Sequence, residues 1–166
     1  IALNSFLPDL LNGLEDNGIN IHKYLKNPFY KKLNIYNPNS YIPTILLEEL
    51  LIDIRNDVGL NNFSTEFGKH FKSTTMGDFS KYFYQSPNFL TILNETINYG
   101  RYIRSNYEVK LDIKGPISRY SIKIVEAPSK GKLVCEEIDI IRMLDAFKLA
   151  FGSKLIPLEI GITSKE

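Results

Sequence analysis

Tryptophan is absent from this 166-residue chain, cysteine occurs once and histidine twice. The lone Cys135 forbids an internal disulfide and excludes zinc sites built from several cysteines, a pattern that fits a reducing compartment. His22 and His70 show no His-x-x-x-His or His-Glu-x-x-His spacing, so a histidine-based metal site would need carboxylates from unrelated segments. No cofactor or metal is expected. Long apolar runs are missing as well, and nothing in the sequence reads as a membrane span. Residues Ile1 to Leu14 lack the basic region and small-residue cleavage site of a signal peptide. An initiator Met is also missing, which points to a piece of something longer. Charge of one sign is scarce: 20 basic against 19 acidic residues leave a net charge of +1. No global field would draw the chain onto nucleic acid or an anionic membrane.

Chemical motifs are equally thin. Gly68, Gly77 and Gly100 stand isolated, with no Gly-Lys-Ser/Thr phosphate loop and no Gly-x-Ser-x-Gly elbow. Glu48, Glu49, Asp53 and Asp57 read as the wet face of a helix. Glu136, Glu137 and Asp139 sit near the start of another, where negative charge suits the dipole. Cys135 lies beside an apolar stripe and reads as a small hydrophobe, although a Cys–His dyad meets only in space and stays open. No enzyme constellation emerges.

What is present is ordinary globular material, 43% hydrophobic and 23% charged, with ten Tyr and ten Phe. That suffices for one core. Leu3, Phe6, Leu7, Leu10, Leu11 and Leu14 recur at helical steps and end at Gly13 to Gly18. A Pro- and Asn-rich connector with a short helical turn follows. Tyr41-Ile42-Pro43-Thr44 opens a second helix that Gly59 stops. Asn62 to Lys72 is a shorter one. Pro87 introduces the most regular helix, with apolar residues on two adjoining faces and Gly100 in its middle. The glycine costs about 1 kcal/mol there relative to alanine, so a close neighbour is expected. Then the period changes. Tyr107, Val109, Leu111 and Ile113 alternate with charged residues, Gly115-Pro116 turns the chain, and Tyr120, Ile122 and Ile124 alternate again, giving a hairpin. Leu133 to Phe151 is helical with Gly152 as its cap, and Ile156, Leu158, Ile160 and Ile162 predict a third strand. The fold expected is α+β: an N-terminal helical part, then a β-β-α-β three-stranded sheet with a helix packed on it.

Two local features bear on binding. Arg101, Arg104, Lys110, Lys114, Arg119, Lys123, Lys130 and Lys132 outnumber Glu108, Asp112 and Glu126, which reads as a solvated face or a partner surface. Phe79, Tyr82, Phe83 and Tyr84, with Tyr99 and Tyr102, would line a core or a small-molecule pocket. Arg101 and Arg104 beside them would meet an anionic ligand or stay solvated. The ligand-binding candidates are Phe79, Tyr82, Phe83, Tyr99, Tyr102 and Arg101; catalytic candidates are absent.

The runs Tyr41-Ile42-Pro43-Thr44, Phe67-Gly68-Lys69-His70-Phe71 and Met76-Gly77-Asp78-Phe79 with Tyr82 resemble the "arabinose-binding" N-terminal domain of AraC-type transcriptional regulators. Gln85-Ser86-Pro87-Asn88-Phe89-Leu90 followed by Tyr99-Gly100-Arg101-Tyr102-Ile103 sharpens the resemblance. The family typically shows a Ser-Pro-Thr-Leu turn, a long helix and an Arg-Tyr pair before a paired strand. Here Asn88-Phe89 replaces Thr-Leu, and Asn94-Glu95 falls where small apolar residues are common. The resemblance spans residues 13 to 163. It implies one effector-sensing and dimerisation domain, residues 1–166, helical over residues 1–105 and sheet-forming over residues 106–166, cut before further sheet elements and a DNA-binding domain. It further implies a cytoplasmic, non-enzymatic homodimer that answers an unknown small-molecule effector and touches DNA only through a separate helix-turn-helix half. The alternatives are a stand-alone small-molecule-binding or dimerisation module without a DNA partner, and an enzyme using Cys135 or His70.

Overall fold

A computed structural model of the chain describes residues 2–3, 7–37, 39–59, 63–68, 81, 84–125, 131–153 and 156–162. It is α+β, as the periodicities predict. In order, the elements are β1 (Ala2–Leu3), α1 (Leu7–Asp16), α2 (His22–Leu25), α3 (Pro28–Lys31), β2 (Tyr41–Ile42), α4 (Thr44–Val58), α5 (Phe63–Gly68), α6 (Phe89–Ile103), β3 (Tyr107–Lys114), β4 (Ile117–Ile124) and α7 (Lys132–Phe151).

The helix boundaries follow local chemistry. The side chain of Asn88 accepts from the Thr91 N–H at 2.9 Å and caps α6. Such a cap is worth about 1 kcal/mol. Gly59 ends α4 in the left-handed conformation at φ 66°, and its N–H donates to the Arg55 carbonyl. Residues with a Cβ disfavour that backbone, which is why glycine stands there.

Leu7, Leu10, Leu11 and Leu14 of α1 pack with Leu47, Leu50, Leu51 and Ile54 of α4 into a first core. The first turns of α7 join it through Val134, Cys135 and Ile138. Farther along α7, Ala146 and Phe147 meet Ile92 and Leu93 of α6 in a second core, flanked by Phe89, Leu111, Tyr120 and Met143. One helix therefore serves both cores.

β3 and β4 form an antiparallel hairpin about Gly115-Pro116 with Tyr107 opposite Ile124, Val109 opposite Ile122 and Leu111 opposite Tyr120. Because side chains alternate along a strand, those six residues share the face turned to α6 and α7.

Several expectations are corrected. Leu3 and Tyr41–Ile42 belong to a two-stranded antiparallel pair, β1 with β2, rather than to helices. Their pairing is long-range, and no local period announces it. The connector holds two short helices, α2 and α3. On α6 the buried stripe is Ile92, Leu93, Thr96 and Gly100, while Leu90 and Tyr99 are exposed. Burial there reaches one face rather than two.

The third strand is not formed. Residues 156–162 carry no strand pairing, and Leu158 is 89% exposed. Alternation states which face a strand would bury once paired. It does not supply the partner edge.

Among the described residues no helix is long and apolar enough to cross a membrane.

Candidate functional site

The middle of α7 crosses the seam between the two cores, and charged residues collect there. Val134, Ile138 and Ala146 occupy an i+4 row that Arg142 shares, so helical geometry alone turns this arginine inward. Asp139 lies beside it, with its carboxylate 3.5 Å from the Arg142 guanidinium.

The C-terminal end of α6 delivers a second arginine. Arg104 leaves the helix in an extended conformation (φ −147°, ψ 117°), and its side chain runs into the seam, where it is 4% exposed. Its guanidinium lies 2.5 Å from the Glu48 carboxylate of α4 and 3.4 Å from that of Asp139. Its Nε donates to the Asn106 side-chain oxygen at 3.1 Å. The Tyr107 hydroxyl donates to Asp139, and the Arg104 guanidinium lies over the Tyr107 ring at 5.4 Å.

Glu48 and Asp139 thus face Arg104 and Arg142, a cluster balanced in charge. Balance is what permits burial, since an unpaired ion in such surroundings costs several kcal/mol. Burial disfavours the charged form of Arg104, but Tyr107, Asp139 and Glu48 more than offset it and hold its proton more tightly. Burial first, then the Asp139 charge, pushes the Tyr107 hydroxyl well above an ordinary tyrosine, so it remains a donor.

Two readings are overturned here. Glu48 is not on the wet face of α4; it is 2% exposed. Arg104 is neither solvated nor available as a surface cation. Each residue sits at a helix position whose direction depends on where the neighbouring helix passes. Asp139, read as a dipole partner, instead accepts hydrogen bonds from Arg104, Tyr107 and Arg142.

Beside this cluster lies a cavity of about 60 Å³, partly open and mostly apolar. Thr96, Gly100 and Ile103 of α6 form one wall, Val109, Tyr120 and Ile122 of the hairpin another, and Met143 and Ala146 of α7 a third. Tyr107, Asp139 and Arg142 line its polar end. A volume of this size admits a few water-sized groups, since one water needs about 10–15 Å³. Gly100 faces Val109, whose Cγ2 would lie 3.3 Å from an added Cβ. That is the close neighbour the sequence predicts, although Gly100 stands in the last turn of α6 rather than in its middle.

Thr96 and Tyr120, which both line the cavity, carry hydroxyls. Thr96 donates to the carbonyls of Ile92 and Leu93 at 2.9 and 2.8 Å. The Tyr120 hydroxyl is buried and makes no hydrogen bond of ordinary geometry among the described residues, with Thr96 as its polar neighbour. Burial pushes Tyr120 up to about 12, partly offset by Thr96.

A broader depression of about 540 Å³ lies between α3 and the start of α4, lined by Lys32, Asn34, Ser40, Tyr41 and Pro43 among others. The Ser40 hydroxyl is already spent on the carbonyls of Asn34 and Asn37. The depression offers no buried charge, so the smaller cavity is the better candidate despite its size.

Of the ligand-binding candidates, Phe79, Tyr82 and Phe83 lie outside the described residues. Tyr99, Arg101 and Tyr102 are brought together on the exposed side of α6, with the two tyrosine rings 6.1 Å apart and Tyr102 70% exposed. None of these three lines the cavity. Sequence reasoning missed Thr96, Tyr107, Tyr120, Asp139 and Arg142 as a group. The one available signal was Arg142 interrupting an apolar row. Cys135 sits in the first core at 2% exposure, and burial pushes its thiol up, which keeps thiolate scarce.

No family model, curated protein or solved structure matches the chain.

Proposed function

We propose that this chain is a small-molecule sensing module without enzymatic activity, the N-terminal effector-binding and dimerisation half of an AraC-type transcriptional regulator. In this reading it works in the cytoplasm as a homodimer, and DNA is contacted only by a separate helix-turn-helix half. The observation that carries the sensing role is the cavity at the seam, an apolar chamber with a fixed polar end between α6, the hairpin and α7. The order of the Tyr-Ile-Pro-Thr, Phe-Gly-Lys-His-Phe and Ser-Pro-Asn-Phe-Leu runs supports the regulator assignment.

A ligand shifts a two-state protein only by its difference in affinity between the states. Here such a difference would reach both cores, because α7 carries cavity residues Met143 and Ala146 together with first-core residues Val134 and Ile138. Arg104 adds a second route by tying Asp139 of the cavity to Glu48 of α4.

Thermal unfolding of the protein against a panel of small neutral, anionic and cationic compounds tests the sensing role. A native-state ligand raises the melting temperature by mass action. A dose-dependent rise that disappears in Ala146→Leu, where the added side chain fills the chamber, is the expected result. A flat response across the panel over a cooperative wild-type melt contradicts the reading.

A further inference from the structure

Resting on the homodimer proposed above, we propose that residues 156–162 of one copy add as an antiparallel strand to the open edge of β4 in a second copy. The segment has the pattern of a half-buried strand and none of the burial. Ile156, Leu158, Ile160 and Ile162 alternate with Pro157, Glu159 and Gly161, and all four apolar side chains are exposed. Within one chain the segment carries no strand pairing, and among the described residues no third strand lies on either edge of the hairpin.

The ladder fixes which backbone groups those edges offer. The Val125 N–H donates to the Asn106 carbonyl at 2.9 Å, one step beyond Tyr107 and Ile124 in the same register. Bonded and non-bonded pairs alternate between antiparallel strands. Glu108–Lys123, Lys110–Ser121 and Asp112–Arg119 are therefore the bonded pairs. Tyr120 and Ile122, on the face turned to α6 and α7, direct their N–H and C=O groups to the outer edge of β4.

Proline selects the direction. Pro157 has no N–H, so it suits an added strand only where its nitrogen faces away from the ladder. Ile156, Leu158, Ile160 and Ile162 then make the bonds. They share the face of Tyr120 and Ile122 only in an antiparallel pairing, where bonded residues stand opposite each other; parallel pairing staggers them. Charge selects the edge. Glu159 comes beside Arg119, Ser121 and Lys123 on the outer face of β4, whereas β3 alternates Glu108 and Asp112 with its lysines there. A return to β4 within one chain would pass through α7 and run parallel. A second copy is free of that constraint, and a two-fold exchange gives each copy one added strand.

Sedimentation velocity and amide hydrogen exchange of the whole chain over a concentration series test this in the wild type and in Ile160→Pro. The expected result is a dimer in which the Leu158, Ile160 and Ile162 amides gain protection with concentration, together with Tyr120 and Ile122. Those of Glu159 and Gly161 stay open to exchange. Ile160→Pro removes a ladder donor from an exposed segment outside both cores. It should melt like the wild type in dilute solution and dimerise about 10-fold more weakly. A dimer lacking the alternating protection, or one untouched by Ile160→Pro, overturns the exchange and leaves the homodimer standing. Protection of the segment in a monomer overturns it in favour of pairing within one chain. A monomer at every concentration with the segment unprotected overturns the exchange and the homodimer together, while the cavity's sensing role keeps its own test.

Discussion

The two cores differ in how fully they are buried and in their share of rings. The first is mainly aliphatic: Leu7, Leu10, Leu11, Leu14, Leu47 and Leu50 are wholly buried, and Phe63, Tyr24 and Tyr30 are its buried rings. In the second, Phe89 meets Phe147 and Phe151 edge to face at 5.0 and 5.2 Å, Tyr120 approaches Phe147 at 6.2 Å, and most of the surrounding apolar residues are only half-buried. Branched aliphatic side chains interdigitate to crystal-like density, while rings meeting edge to face, Phe89 of α6, Phe147 and Phe151 of α7 and Tyr120 of β4, leave space at their edges. The cavity opens on that looser side, against the charged seam. In the proposed sensing role, the first core would supply stability and the second room for a guest.

The largest effect that would test this division lies at the seam itself. Arg104→Met leaves Glu48 and Asp139 buried without their shared cation and should cost about 3–5 kcal/mol in urea unfolding. A cost below about 1 kcal/mol would mean the seam is wetter than described.

Two glycines sharpen the contrast with opposite signs. A Cβ on Gly131 would meet the Glu48 carbonyl oxygen at an impossible distance, because the start of α7 presses against the α4 backbone on the first-core side. Gly131→Ala should therefore destabilise by about 1–3 kcal/mol. Gly100→Ala faces only the end of the Val109 side chain at 3.3 Å, with the cavity behind it. There the gain in helix propensity should prevail, stabilising by up to ~1 kcal/mol. Equal losses at both sites would erase the distinction between the cores.

A further expected effect is a pH dependence. Burial raises the folded-state pKa of Tyr120 to about 12 and that of Tyr107 above the ordinary value of 10. A group raised on folding contributes stability that is complete below its unfolded pKa and lost as pH climbs through the folded one. The loss from Tyr120 should fall between pH 10 and about 12, at no more than about 1.4 kcal/mol per pH unit. Tyr120→Phe should flatten the alkaline slope over that window. An unchanged slope would place the hydroxyl in water.

Much of the fold was legible wherever a local period sufficed. The hairpin followed from alternation interrupted by Gly115-Pro116, and α6 and α7 from their helical rows, with Pro87 before the one and Gly152 after the other. The β1–β2 pair was illegible because two residues on each side leave no period. Ile156 to Ile162 shows the reverse, since its alternation was clear but the described strands offer it no pairing.

The site was less legible still. Glu48, Arg104 and Asp139 are far apart in the chain, and each looks solvated until a neighbouring helix covers it. Aromatic density drew attention to Tyr99 and Tyr102, which lie outside the cavity wall. The cavity is instead lined by ordinary hairpin and helix positions that nothing local marks out.

The central claim is that the seam cavity is where this protein receives a small molecule, and amide chemical shifts recorded during titration with the compound that most raises the melting temperature test it most directly. Saturable shifts confined to Thr96–Ile103, Val109, Tyr120–Ile122 and Asp139–Ala146, with the N-terminal turns of α1 unmoved, are the predicted result. Shifts centred on the exposed Tyr99–Tyr102 face and absent from α7 would contradict it.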